Sequence, residues 1–401
     1  MFNNIFENKI LNNNSPVLVM GLNDKVQASY VWNLFGASKK NILVVTNTLY
    51  EANMLYKSLN QYDKDNILLF PMDDFLVSEA VATSPDLMSK RIETLNELAK
   101  NNIGKIVITN FMGYLRFLPS RKLWSSLNIN IKETDEINRD LLIQKLNMIG
   151  YKKDSIVTKT GEYANRGYIL DVFPYGYENP VRIEFFDDEI ESIREFSSDT
   201  QLSMKKKDNI EICPFTEFIN EKNVEDILER QSLLPRVVKK VSKIEDYLDN
   251  NITVYLDLNS IKLAYEKTMN EVLEFKETDQ FNIDKYMFDL NDVIKDKYVD
   301  ILKLDNYDLK KVEKEIYSST EIEKFNGNYD RINHFLKNML NSKKMIVVYL
   351  NDDHAVADFV SKTILPSVIT NLSDLKKDVI NIVKGDIPNG FIINDLVCLT
   401  K

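Results

Sequence analysis

The sequence predicts a multidomain α/β protein, and three observations carry that prediction. Four short runs rich in Val, Ile and Leu, at 17–20, 42–46, 67–70 and 105–109, alternate with stretches of helical periodicity. Buried parallel strands read this way because both of their faces are covered. Three runs at 168–173, 181–186 and 190–196 then follow one another across links of turn size, the pattern of antiparallel strands. Last, the apolar run MIVVYL at 345–350 stands between two helical stretches. A chain of 401 residues suggests roughly two to four domains.

The first strand, 17–20, leads into Gly21 and a polar helical stretch, VLVMGLNDKVQAS, which is the outline of a phosphate-binding loop. Such a loop, G-x-x-x-x-G-K-[ST], needs a second glycine for backbone approach, a lysine for the phosphate oxygens and a hydroxyl for Mg²⁺. Counting from Gly21, those positions hold Val26, Gln27 and Ala28, and Lys25 comes too early. The stretch is either an ordinary strand–turn–helix crossover or a phosphate-binding fold whose site has decayed. A clearer helix starts at Ser84-Pro85-Asp86. Ser84 can cap it, Pro85 suits the first helical position, and Asp86 favours the positive end of the dipole. Met88, Ile92, Leu95 and Leu98 form its apolar stripe. Strands alternating with helices imply a parallel sheet.

Past residue 118 the pattern changes. Residues 127–131 read as a strand, and a helix follows with Leu141, Leu142, Leu146 and Ile149 inward and Gly150 as its stop. With the three close strands they make a small α+β unit. From 216 to 325 the text is charged and reads as solvated helices and joints. From about 328 come a helix, MIVVYL, a helix, a strand and a closing segment. The expected units are 1–118, 119–215, 216–325 and 326–401.

Composition excludes several classes. The net charge of −10 argues against a chain-wide nucleic-acid surface. No apolar run reaches the ~18 residues of a membrane span, and MFNNIFENKILNNNSP lacks the basic start and apolar core of a secretory signal. Cys213 and Cys398 lie far apart, so neither a disulfide framework nor a cysteine zinc site is expected, and a reducing cytoplasm fits. His334 and His354 are too few for a histidine metal centre unless carboxylates complete it. In MIVVYLNDDHA, Asp352 or Asp353 is expected to cap the next helix rather than hold Mg²⁺, which leaves His354 on the surface. Asp73 and Asp74 end a strand, where open sheets place active sites, but no metal-ligand spacing accompanies them and capping is expected.

The strand VRIEFF is more informative. Val181, Ile183 and Phe185 share one face, which should be core, while Arg182, Glu184 and Phe186 share the other. An exposed aromatic beside arginine is what protein interfaces use as an anchor. Arg166, in the turn before the preceding strand, could join them. Phe186 is therefore either an anchor for a partner or the cover of a joint within the chain.

At these residues a family resemblance emerges. GEYANRGYILDVFPYGYENPVRIEFFDDEIESIREFSSDTQLS (161–203) carries R-G-x-x-x-D-x-F-P, then P-x-R-x-E-F-F-D-D-E-I-x-S-I-R-x-F, then T-Q-x-S. Together with 41–59, 68–75, 82–100 and 389–400, this stretch resembles the N-terminal region of the bacterial transcription-repair coupling factors. The resemblance implies a first unit with a RecA-like motor fold that has lost its nucleotide site, so that Gly21 marks a degenerate loop and the chain holds no cofactor. It implies that the second unit binds the excinuclease subunit UvrA, with family interface positions falling on Arg166, Arg182 and Phe186. The chain would be a non-enzymatic N-terminal piece. ATP, Mg²⁺, RNA polymerase and DNA would be engaged by regions it lacks, and the C-terminal domain of the full-length protein would cover the UvrA surface. The related protein UvrB inserts an aromatic hairpin into DNA; here only 73–86 occupies that position, without a tyrosine, so damage binding should be absent. Two other readings are an autoinhibitory clamp on the motor and a nucleotide- or DNA-dependent enzyme.

Overall fold

The structure is a computed structural model and describes residues 5–74, 84–225, 227, 229–276, 285–302, 312–371, 374–385, 387 and 389–400. Residues 75–83, the greater part of the segment compared with the hairpin of UvrB, lie outside the described residues. The architecture is α/β, with a parallel central sheet and smaller antiparallel ones.

The central sheet has seven strands, in the order Glu313–Ile316, Val17–Met20, Val299–Ile301, Asn251–Leu256, Asn41–Thr46, Ile106–Asn110 and Ile67–Phe70. Every pairing in it is parallel. Successive side chains leave a strand on opposite faces. Ile42 and Val44 therefore enter one core with Val19 and Ile108, while Leu43 and Val45 enter a second with Val107 and Phe70. The four strands foreseen from apolar runs are all present. The helix Pro85–Lys100 buries Ile92, Leu95 and Leu98 as its periodicity requires. Ser84 occupies its N-cap position, but its side chain makes no capping hydrogen bond.

The segment 216–325 departs from the expected run of solvated helices. It contains the long helix Leu258–Lys276, but also the strands Asn251–Leu256, Val299–Ile301 and Glu313–Ile316, which return to the central sheet. NITVYL is β-branched and apolar, and it slots between Asn41–Thr46 and Val299–Ile301. EKEI is an edge strand, paired on one side only, so it tolerates the charges that made it read as a helix face. Residues 303–311 of the charged stretch lie outside the described residues.

Between its departure and its return, the chain builds the antiparallel unit. Its sheet runs Ser203–Lys207, Glu189–Phe196, Val181–Phe186, Ile169–Val172, Glu162–Arg166 and Lys152–Lys153, antiparallel except for the last pair. The helix Arg139–Met148 packs on its inner face through Leu142 and Leu146. Leu141, expected inward, is exposed; a helix turns about 100° per residue, so the neighbour of a core-facing Leu142 points away. Gly150 ends this helix at φ +95°, with Tyr151 N–H donating to Leu146 O and Gly150 N–H to Asn147 O. The strand expected over 127–131 starts at Ile129 instead, because Leu127 closes the short helix Arg121–Ser126.

At the exit from this unit, Glu217 is buried between Arg91 and Arg116, with Oε2 2.8 Å from one guanidinium and 3.2 Å from the other. Arg91 also donates to Pro71 O, so this cluster ties the returning chain to the central domain. The C-terminal unit is a second six-stranded sheet that begins earlier than foreseen, at Ser319–Glu321, and is ordered through Phe391–Ile393, Leu396–Thr400, Met345–Leu350, Ile380–Lys384 and Ser367–Ile369. Asp352 caps the helix Asp353–Lys362 by accepting from Ala355 N–H at 2.7 Å, and His354 is exposed. Asp74 likewise accepts from Leu49 N–H at the start of the helix Leu49–Leu59. Cys213 and Cys398 are free and buried. Among the described residues no helix is long and apolar enough to cross a membrane, and no group of three or more His, Cys, Asp or Glu could hold a metal ion.

Candidate functional site

Two places were singled out by sequence, and the structure treats them differently. The first is the turn at Gly21. Its φ is +78°, and a Cβ there would lie 1.8 Å from the Tyr317 carbonyl oxygen. Glycine is required because another backbone passes across the turn. Tyr317 N–H donates to Met20 O, and Ser319 Oγ donates to Gly21 O at 2.7 Å while accepting from Asn23 N–H at 2.8 Å. Asn23 Oδ1 caps the helix Asp24–Ser38 by accepting from Val26 N–H, and Lys25 pairs with Glu321 at 2.7 Å. Val26, Gln27 and Ala28 are buried. The segment 317–321 that opens the C-terminal sheet thus crosses the turn at Gly21.

The second place is the outer face of the antiparallel unit. Val181, Ile183 and Phe185 are buried in its core, and Phe186 is 70% exposed, as strand alternation requires. Arg182 stands directly opposite Asp171 in the neighbouring strand. It donates from Nε to Asp171 Oδ1 at 2.7 Å and from Nη2 to Oδ2 at 2.9 Å, a two-pronged pair, and its guanidinium lies 4.7 Å from the centre of the Phe196 ring. The side-chain hydrogen bond to Asp171 raises the Arg182 pKa further above its ordinary value, against the effect of burial. Arg166, at the end of the next strand, donates from Nη2 to the same Asp171 Oδ2. One buried carboxylate therefore holds both arginines on one face, with the side chain of Arg182 16% exposed and that of Arg166 47%. Between Arg182 and Phe186, Glu184 accepts from Ser192 Oγ at 2.6 Å.

Sequence reasoning brought Arg182 and Phe186 together and added Arg166, and all three do project from this sheet. It missed Asp171, which organises the arginines. The available signal was an aspartate inside the apolar strand YILDVF, which pairing with VRIEFF sets opposite Arg182. It also missed Tyr168, 68% exposed in the Arg166–Ile169 turn, whose carbonyl accepts from Phe185 N–H at the end of the sheet that carries Phe186.

Residues 129–218, which span this sheet and its helix, match the model of the UvrB interaction domain. The chain is similar to proteins named transcription-repair-coupling factor: 36% identical over 200 residues to one from Staphylococcus aureus, 35% over 201 to one from Staphylococcus haemolyticus, and 33% over 204 to one from Staphylococcus epidermidis. These matches cover 50%, 50% and 51% of this chain and 17% of each relative. The stretches compared in the sequence run from 41 to 400, whereas these matches cover about half of the chain.

Proposed function

We propose that this chain is a non-enzymatic adaptor region of a transcription-repair-coupling factor, and that it docks UvrA through the outer face of its antiparallel unit. The observation that carries this reading is Phe186, a large exposed aromatic on the same sheet face as two arginines fixed on one buried carboxylate, inside the stretch that matches the UvrB interaction domain. An exposed aromatic sharing a face with guanidinium groups is the composition of an interface hot spot. The arginines are already held by Asp171, so the face is preorganised and side-chain ordering on binding is small.

The turn at Gly21 supports the same reading. We infer that it anchors the C-terminal sheet and binds no nucleotide, since Asn23 takes Val26 N–H at the start of the helix Asp24–Ser38 and Ser319 engages the turn from Gly21 O to Asn23 N–H. In a full-length protein, UvrA recruitment would join polymerase-directed activity supplied by other regions, and the docking face would be covered until that activity begins.

The test is calorimetric titration of the chain with purified UvrA, beside Phe186→Ala and Arg182→Ala. Phe186→Ala is expected to cost ~1–3 kcal/mol of binding. Arg182→Ala is expected to cost binding and also some folding stability, because it leaves Asp171 with one cation in place of two. UvrA affinity equal to wild type in a folded Phe186→Ala protein would remove the face from the interface. No binding by the wild type would favour the second reading, in which the face is an internal contact that clamps the motor.

A further inference from the structure

We infer that Arg194 is an additional anion-binding residue of this docking face, and that its ligand is a carboxylate on an acidic surface of the partner protein. The inference rests on the docking role proposed for the face. Strand register carries the argument. Arg194 stands directly opposite Arg182 on one side and opposite Lys206 on the other, so the row across four strands reads Asp171, Arg182, Arg194, Lys206. Like charges set directly opposite one another in a sheet are destabilising. Two of these three cations have partners within the fold: Arg182 has Asp171, and Lys206 has Glu133 at 2.9 Å. Arg194 is exposed, and its side chain makes no hydrogen bond or ion pair among the described residues.

The row therefore contains a cation that the fold neither satisfies nor needs, beside cations that repel it. A position that departs from local consistency in this way points to use by a partner. The neighbouring acids do not compensate it. Asp171 is shared by Arg166 and Arg182, Glu195 pairs with Lys207 at 2.7 Å, and Glu184 takes the Ser192 hydroxyl. Arg182 is mostly covered and both of its prongs face Asp171, so it presents few donors outward. Arg194 keeps its planar fork free, the geometry that accepts a carboxylate with two parallel hydrogen bonds. A protein partner is favoured over nucleic acid because the cationic row is short, apolar Phe186 lies on the same face, and the chain as a whole is acidic.

The experiment is titration of the full chain with UvrA at low and high salt, for wild type, Arg194→Ala, Arg194→Lys and Phe186→Ala, with thermal melts of each. Arg194→Ala is expected to weaken binding about 5- to 50-fold at low salt, with a flatter salt dependence and a melting temperature equal to or above that of wild type. Arg194→Lys should recover part of the affinity, since charge remains while the fork is lost. Wild-type affinity in Arg194→Ala alongside weakened binding in Phe186→Ala would overturn this inference and leave the docking reading standing. A lowered melting temperature in Arg194→Ala would assign the residue to the fold instead. A loss of duplex-DNA binding without loss of UvrA binding would overturn the choice of partner. No UvrA binding by wild type would remove the docking reading and this inference with it.

Discussion

Asp171 and Glu217 each hold two arginines, and the two clusters differ in what surrounds them. Glu217 is 3% exposed, and its partners Arg91 and Arg116 are sealed with it at the joint between the central and antiparallel domains. Asp171 is also buried, but Arg166 reaches outward from it, on a face where a phenylalanine is left in solvent. The same chemistry serves opposite ends. A carboxylate enclosed with its cations can only fix one part of the chain against another. A carboxylate at the base of an open face fixes the side chains that the face presents. Location relative to solvent, not the pairing itself, separates a cluster that only joins parts of the chain from one that presents side chains outward.

The largest effect on the fold should come from breaking the sealed cluster. Glu217→Ala leaves two guanidinium groups buried without their carboxylate, and removal of one partner from a buried ionic cluster typically costs about 3–5 kcal/mol. Urea unfolding should show it; a loss below 1 kcal/mol would mean that water or another acid reaches Arg91 and Arg116. The cluster also predicts acid sensitivity. Burial pushes the Glu217 carboxyl up, but Arg116 and Arg91 more than offset this and hold it at about 2, against an ordinary value of 4.5. Its contribution is therefore fully present above 4.5 and is lost as pH falls toward 2.

A third buried carboxylate sharpens the comparison because it lacks the arginines. Asp300, in the central sheet, accepts from Leu258 N–H at 2.9 Å and has Asp257 nearby. Burial pushes its carboxyl up to about 7, with Asp257 adding to the rise, from an ordinary value of 3.8. Between these two values the folded chain holds a proton that the unfolded chain releases, so stability falls as pH rises through 7. Asp300→Asn keeps an acceptor for Leu258 and removes the charge. It should stabilise the protein by roughly 1–3 kcal/mol at pH 8 and by much less at pH 5. Parallel wild-type and variant stability profiles across this range would show that Asp300 does not titrate there.

The legible and illegible parts of the molecule divide along a physical line. The strands 17–20, 41–46, 67–70 and 106–110 were readable because a buried parallel strand is apolar on both faces. The strand EKEI was not, because three of its four residues are charged, Glu315 being buried and accepting from Lys9 N–H and Tyr317 Oη, and its strand partner, Val17–Met20, lies nearly 300 residues away in sequence. Asn251–Leu256 was hidden by the charged helical text around it. At the proposed docking face, the exposure of Phe186 followed from period-two alternation within one strand. The role of Asp171 and the isolation of Arg194 depend on register between strands, which a local pattern does not contain. At Gly21 the absence of a lysine and a second glycine at the phosphate-loop spacing was readable, but the crossing of the turn by the segment 317–321 was not.

The smallest effect on the fold should come from the residue with the largest proposed role in binding. Phe186 is 70% exposed at the end of its strand, so shortening it creates no cavity and removes little buried apolar area. Its strand is held by Val181, Ile183 and Phe185 in the core and by ladders to both neighbours. Phe186→Ala should therefore change unfolding stability by no more than about 0.5 kcal/mol, within the scatter of surface substitutions. A loss above 1.5 kcal/mol would place the ring against part of the fold and would turn the open cluster into a second sealed one. A stability unchanged within that limit, together with weakened UvrA binding, would leave the contrast between the two arginine clusters intact. The outward one would then owe its form to a partner, since the fold gains almost nothing from the aromatic that stands beside it.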